Sequence, residues 1–100
     1  MRASWLAAGL LLLGALACAH TSGEGTRGIL LDCDLPEANV FVDDFYLQHA
    51  ASWRGKPMPL RPGWHRLEVV ADGYYPYYGE VTVGERGFQT VVVRMRKSLE

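Results

Sequence analysis

Two groups of reactive side chains raise the question of chemistry. Asp32, Asp34, Asp43 and Asp44 supply four carboxylates, and His20, His49 and His65 supply three imidazoles. Paired carboxylates can serve as general acid and base at a glycosidic bond or hold calcium. On an extended strand Asp32 and Asp34 share one face, roughly 7 Å apart. Two histidines with a carboxylate can hold zinc or copper. The sequence arranges none of these sites. It contains no Cys-x-x-Cys, no metal-ligand spacing, no Ser-His-Asp or Cys-His arrangement and no glycine-rich phosphate loop. The carboxylates read as a solvated strand face and a turn. His65, at a strand start after Pro62-Gly63, reads as a structural histidine bonded to a turn carbonyl. The chain is expected to have no catalytic residues, no cofactor and no metal.

Aromatic residues are the stronger functional signal. The stretch RPGWHRLEVVADGYYPYY, residues 61–78, carries Trp64 and places Tyr74, Tyr75, Tyr77 and Tyr78 around Pro76. Alternate residues of a strand face opposite ways, so four such tyrosines cannot all be buried. Tyr74 is expected in the core. Trp53, Trp64, Tyr75, Tyr77 and Tyr78 are the candidate contacts for a ligand or partner. Exposed Tyr and Trp stack on sugar rings or anchor protein interfaces. Cross-strand pairing that only stabilises the sheet is the alternative.

The elements that must hold these side chains read as strands. Ile29, Leu31, Cys33 and Leu35 alternate with Leu30, Asp32 and Asp34, a half-buried strand. Pro36 to Asn39 is a turn, and Val40 to Val42 is a short strand ended by Asp43-Asp44. Residues 45–60 read as a long loop with room for a helical turn or two between Leu47 and Trp53. His65, Leu67, Val69 and Ala71 form the inner face of the next strand, before an Asp72-Gly73 turn. Tyr77 to Val83 and Phe88 to Met95 are two further strands, joined at Gly84 to Gly87. The expected fold is all-β: a small sandwich-like domain of about five to seven short, mainly antiparallel strands. The first and last strands are expected at sheet edges, with Asp32, Asp34, Arg94 and Arg96 discouraging pairing with another chain.

One hundred residues allow one small domain. Ten basic residues against eleven acidic ones exclude the basic excess of a nucleic-acid surface. Much of the 49% hydrophobic content lies at the start, MRASWLAAGLLLLGALACAH. Arg2 is followed by an uncharged run from Trp5 to Ala17, short for a span of about 20 apolar residues. It has the form of a signal peptide over residues 1–17. Gly14-Ala15-Leu16-Ala17-Cys18 resembles a bacterial lipobox, with Ala15 where Leu is usual. The resemblance implies cleavage before Cys18, whose acyl chains (palmitate among them) would anchor the protein in a membrane. Ordinary cleavage, giving a secreted or periplasmic soluble protein, is the alternative. Residues 18–28 then form a lipidated cysteine and a glycine-rich tether. If Cys18 is lipidated, Cys33 has no partner and acts as a small hydrophobe.

The body, residues 29–97, resembles the PEGA domain of bacterial envelope proteins. The matching stretches are Pro36-Glu37-Ala38-Asn39, Val40-Phe41-Val42-Asp43, Gly55-Lys56-Pro57, Leu60 to Val69, and Gly73-Tyr74. Ala38-Asn39 stand where that family has Gly-Ala, and Asp44 stands where it has Gly. The resemblance implies a β-sandwich-like module without shared catalytic residues. It suggests a cell-envelope lipoprotein, lipid-anchored through Cys18. Ala19 after the cysteine resembles an outer-membrane address. The expected partner is another envelope protein or cell-wall glycan.

Overall fold

A computed structural model describes residues 26–99. The expected signal peptide, Cys18 and most of the tether lie outside the described residues. Nine strands follow in order: β1 (Arg27–Cys33), β2 (Asn39–Val42), β3 (Phe45–His49), β4 (Met58–Pro59), β5 (Gly63–Val70), β6 (Tyr74–Tyr75), β7 (Tyr77–Val83), β8 (Gly87–Val93) and β9 (Arg96–Lys97). A single 3-10 turn, Ala50–Trp53, separates β3 from β4. The all-β expectation holds. Three of the nine strands are two-residue ladders, and the six longer ones build the body.

The strands form a three-stranded sheet, β4-β1-β8, a four-stranded sheet, β3-β2-β5-β7, and the small ladder β6-β9. One core lies between the two larger sheets. Ile29, Leu31, Met58 and Val93 come from the first; Val40, Val42, Leu67, Val69, Val81 and Val83 come from the second. Ala38 and Ala50 fill the gap beside them. The period-two patterns explain this: β7 buries Val81 and Val83 while Tyr78, Glu80 and Thr82 face water. Burying each Val or Leu contributes about 1.5–3 kcal/mol, the driving term for a domain this small.

Three features differ from the sequence expectation. First, β1 is not an edge. It lies between β4 and β8 and runs parallel to β8 along its whole length, from Arg27 opposite Gly87 to Cys33 opposite Val93. Asp32 and Arg94, expected to repel other chains, instead bind each other, with Arg94 Nη2 3.2 Å from Asp32 Oδ2. Asp34 Oδ1 accepts the Met95 N–H at 3.0 Å. Second, the strand starts at Arg27, so the last residues assigned to the tether belong to the sheet. Gly28 is buried at φ 149°, and a Cβ there would lie 1.9 Å from the Met58 carbonyl oxygen. The close approach of β1 to its neighbour β4 therefore requires glycine.

Third, residues 45–49 are a strand rather than the start of a loop. Asp43 and Asp44 have φ of 51° and 70°, the two positive values of a type I′ hairpin turn, and Val42 pairs with Phe45 across it. The strand carries a bulge. The β2–β3 register shifts between Asn39 opposite His49 and Phe41 opposite Tyr46, and Gln48 has φ 73°. The extra residue brings His49 onto the face of Tyr46, which a regular strand would not. Tyr46 Oη then lies 3.1 Å from Asn39 Oδ1 and 3.3 Å from His49 Nδ1.

Candidate functional site

The hairpin turn and the start of β5 are joined by His65. Its Nδ1 lies 2.6 Å from Asp43 Oδ2 and its Nε2 lies 2.8 Å from the Arg61 carbonyl oxygen. A carbonyl can only accept, so Nε2 must carry a proton. The second Asp43 oxygen accepts the Arg66 backbone N–H at 2.9 Å. That bond, followed by the one from His65, holds the Asp43 carboxyl below its usual range. A carboxylate kept ionised needs a donor at Nδ1 as well. Both ring nitrogens are thus donors, and the ring is an imidazolium between two acceptors. Partial burial pulls the His65 pKa down, but the Arg61 carbonyl and Asp43 together raise it above the ordinary value. An imidazole with both nitrogens engaged has no lone pair for proton abstraction. The pair is therefore a structural clasp rather than the base of a catalytic dyad.

The outward face of the four-stranded sheet presents aromatic rings. Strand register sets Tyr46, Phe41, Glu68 and Tyr78 in one row across β3, β2, β5 and β7. Phe41 and Tyr46 meet with centroids 5.4 Å apart, tilted by 52°. Arg66, in the next row opposite Glu80, reaches back over the turn to grip both oxygens of Asp44 at 2.8 and 2.7 Å. Trp64 stands beyond it, opposite Thr82. Trp64 and Glu68 are four positions apart, roughly 13 Å along the strand. Trp64 is 56% exposed, Tyr78 65% and Tyr46 46%. The depression beside Arg66, Tyr78, Gly79 and Glu80 is open to solvent, so the face offers a surface and not a cleft.

The five candidate contacts do not converge. Trp64 and Tyr78 share this face. Tyr75 is exposed elsewhere, on β6, under the Arg96 guanidinium at 5.5 Å. Trp53 is half-buried against the core, and its indole N–H donates to the Leu47 carbonyl at 2.6 Å. Tyr77 also packs on the core and lies across Gly79, where a Cβ would meet its hydroxyl at 2.6 Å. Trp53 and Tyr77 are thus packing residues. The parity of β7 carries this signal for Tyr77, because it alternates with Tyr78 in step with Val81 and Val83. Tyr74 is half-buried but pairs with Lys97 in the β6-β9 ladder, away from the main core cluster. Tyr46 and Phe41, absent from the sequence candidates, complete the aromatic row.

His49 and His65 are held by different partners, and among the described residues no three His, Cys, Asp or Glu side chains gather as a metal site. Cys33 is a half-buried free thiol whose Sγ contacts the Leu35 carbonyl oxygen at 3.6 Å. Burial pushes its pKa up, which suppresses the reactive thiolate. No helix among the described residues is long and apolar enough to cross a membrane. No protein-family model matches the chain, and no curated protein matches it significantly.

Proposed function

We propose that this chain is a non-enzymatic envelope lipoprotein: a PEGA-like β domain, anchored through acylated Cys18, that binds another envelope protein. The observation that carries the interaction reading is the outward face with Trp64, Tyr78 and Tyr46. Large rings exposed together on a rigid sheet are the residue types that anchor interfaces. The closed His65–Asp43–Arg61 arrangement supports a structural rather than catalytic use of the only Asp–His contact among the described residues. The apolar run before Cys18, with its lipobox-like residues, supports the anchor, and the residues after Cys18 support an outer-membrane address.

Two measurements on cells making the protein test this. Replacing Cys18 with Ser should move the protein out of the membrane fraction; retention there without acyl groups would overturn the anchor. Crosslinking in the native envelope should trap a protein partner, and the adduct should disappear in a Trp64→Ala/Tyr78→Ala chain. The interleaving of Glu68 and Glu80 with the rings favours a second reading, cell-wall glycan binding, because sugars need both stacking faces and hydrogen-bond acceptors. Quenching or enhancement of tryptophan fluorescence by glycan, lost with Trp64, would favour that reading over a protein partner.

A further inference from the structure

β8 offers a second and independent surface. It is seven residues long and contains no charge and no proline: Gly87, Phe88, Gln89, Thr90, Val91, Val92 and Val93. One side is fully paired to β1. Among the described residues the other side has no strand partner. The bonds at its two ends fix which groups face which way. Gly87 N–H donates to the Thr26 carbonyl, and the Val93 carbonyl accepts from Asp34 N–H. Each strand residue directs its N–H and C=O to one side, alternating along the chain. Gly87, Gln89, Val91 and Val93 therefore face β1. Phe88, Thr90 and Val92 aim their backbone donors and acceptors at the open edge. Val92 is 53% exposed beside them.

Such an edge is a template for another strand, and natural proteins usually blunt it with a charge, a bulge or a proline. None interrupts this one. Its charges lie at its ends, Arg86 and Arg94. That placement disfavours full-length pairing of two copies of β8. A two-fold antiparallel pairing of β8 with a second copy, centred on Thr90, would set Arg86 against Arg94 at both ends. Like charges directly opposite one another are destabilising. Arg94 is already paired with Asp32, whereas Arg86 makes no ion pair among the described residues.

We infer that the open edge of β8 is a docking site for an extended segment of a partner protein, added as a further strand. The segment would be uncharged along its middle, with β-branched or aromatic residues lying beside Phe88 and Val92. A carboxylate at its end would meet Arg86. Main-chain bonds to Phe88, Thr90 and Val92 would provide affinity, and the side-chain alternation and Arg86 would provide selectivity.

The test uses the full-length chain, isotope-labelled in detergent, and a synthetic peptide of alternating threonine and valine with a glutamate at each end. Peptide at about 1 mM should raise amide-exchange protection of Phe88, Thr90 and Val92 by about ten-fold or more, leaving Gln89 and Val91 unchanged. Thr90→Pro removes one outward N–H without touching the β1 ladder and should abolish the effect. Val92→Lys, which keeps every backbone bond, should weaken it if the proline variant proves unfolded. Unchanged protection at saturating peptide, or undiminished binding by both variants, overturns the proposal. So does strong protection of these three amides in the free chain that vanishes on dilution, which would identify a second copy as the occupant.

Discussion

His65 is held to Asp43 by a 2.6 Å contact that ties the β2–β3 turn to the start of β5. The two residues are far apart in sequence, and the contact closes the hairpin onto its neighbour. Its sign with pH follows from the two shifts. The raised His65 pKa makes its contribution full below the ordinary value of 6.5, and the contribution is lost as pH rises through the folded value. The lowered Asp43 pKa makes its contribution full above 3.8, and it is lost as pH falls through the folded value. Thermal melts should therefore show highest stability between those limits and a fall as pH rises above 6.5. His65→Gln should flatten that fall. A wild-type Tm that rises across this range would refute the clasp.

The protonation state has its own readout. Nitrogen NMR at pH 6 should show both His65 ring nitrogens protonated, because both face acceptors. A neutral tautomer at pH 6 would contradict the geometry.

Gly28→Ala should be among the most damaging single substitutions in the body. The added methyl would sit inside the Met58 carbonyl, at a backbone angle that side chains rarely adopt. A loss above about 4 kcal/mol is expected, enough to prevent folding of a marginal domain. Urea titration, or recovery of folded protein where none survives titration, measures it.

The aromatic residues should divide into two behaviours. Trp64→Ala and Tyr78→Ala, on the open face, should change stability by less than about 0.5 kcal/mol. Trp53→Ala should cost about 3 kcal/mol, since it empties packed space and leaves the Leu47 carbonyl without its donor. Denaturant midpoints for the three variants test the division; equal losses would show that Trp64 is packed in solution.

The turns and alternation were legible in the sequence because each rests on local chemistry. Tyr77 to Val83 reads as a strand with Val81 and Val83 inward, and it is one. His65, Leu67 and Val69 face inward on β5 as their spacing implies, with Leu67 and Val69 in the core. β3 was hidden for a physical reason: its bulge at Gln48 breaks the two-residue period, and its turn uses Asp-Asp where Asn-Gly would have announced a hairpin. The Tyr46 and Phe41 row was lost with it. The position of β1 was also beyond local reading, since alternation shows which side of a strand is buried and not which strand lies beside it. The placement of Trp53 is also non-local: an aromatic residue in an apparent loop looks exposed until the backbone folds it against the core.

The parallel pairing of β1 with β8 joins the beginning of the domain to its end, Ile29 beside Gln89 and Leu31 beside Val91. Without β8, the only strand pairing left to β1 among the described residues is the two-residue ladder with β4. The core residues Ile29 and Leu31 then have no settled position until the chain has been made as far as Val93. Such distant pairings fold slowly, because the intervening loop must close before any contact rewards it. The domain should therefore stay unfolded until Val93 has been made and then close in one step. A chain cut before Gly87 should yield no stable fragment.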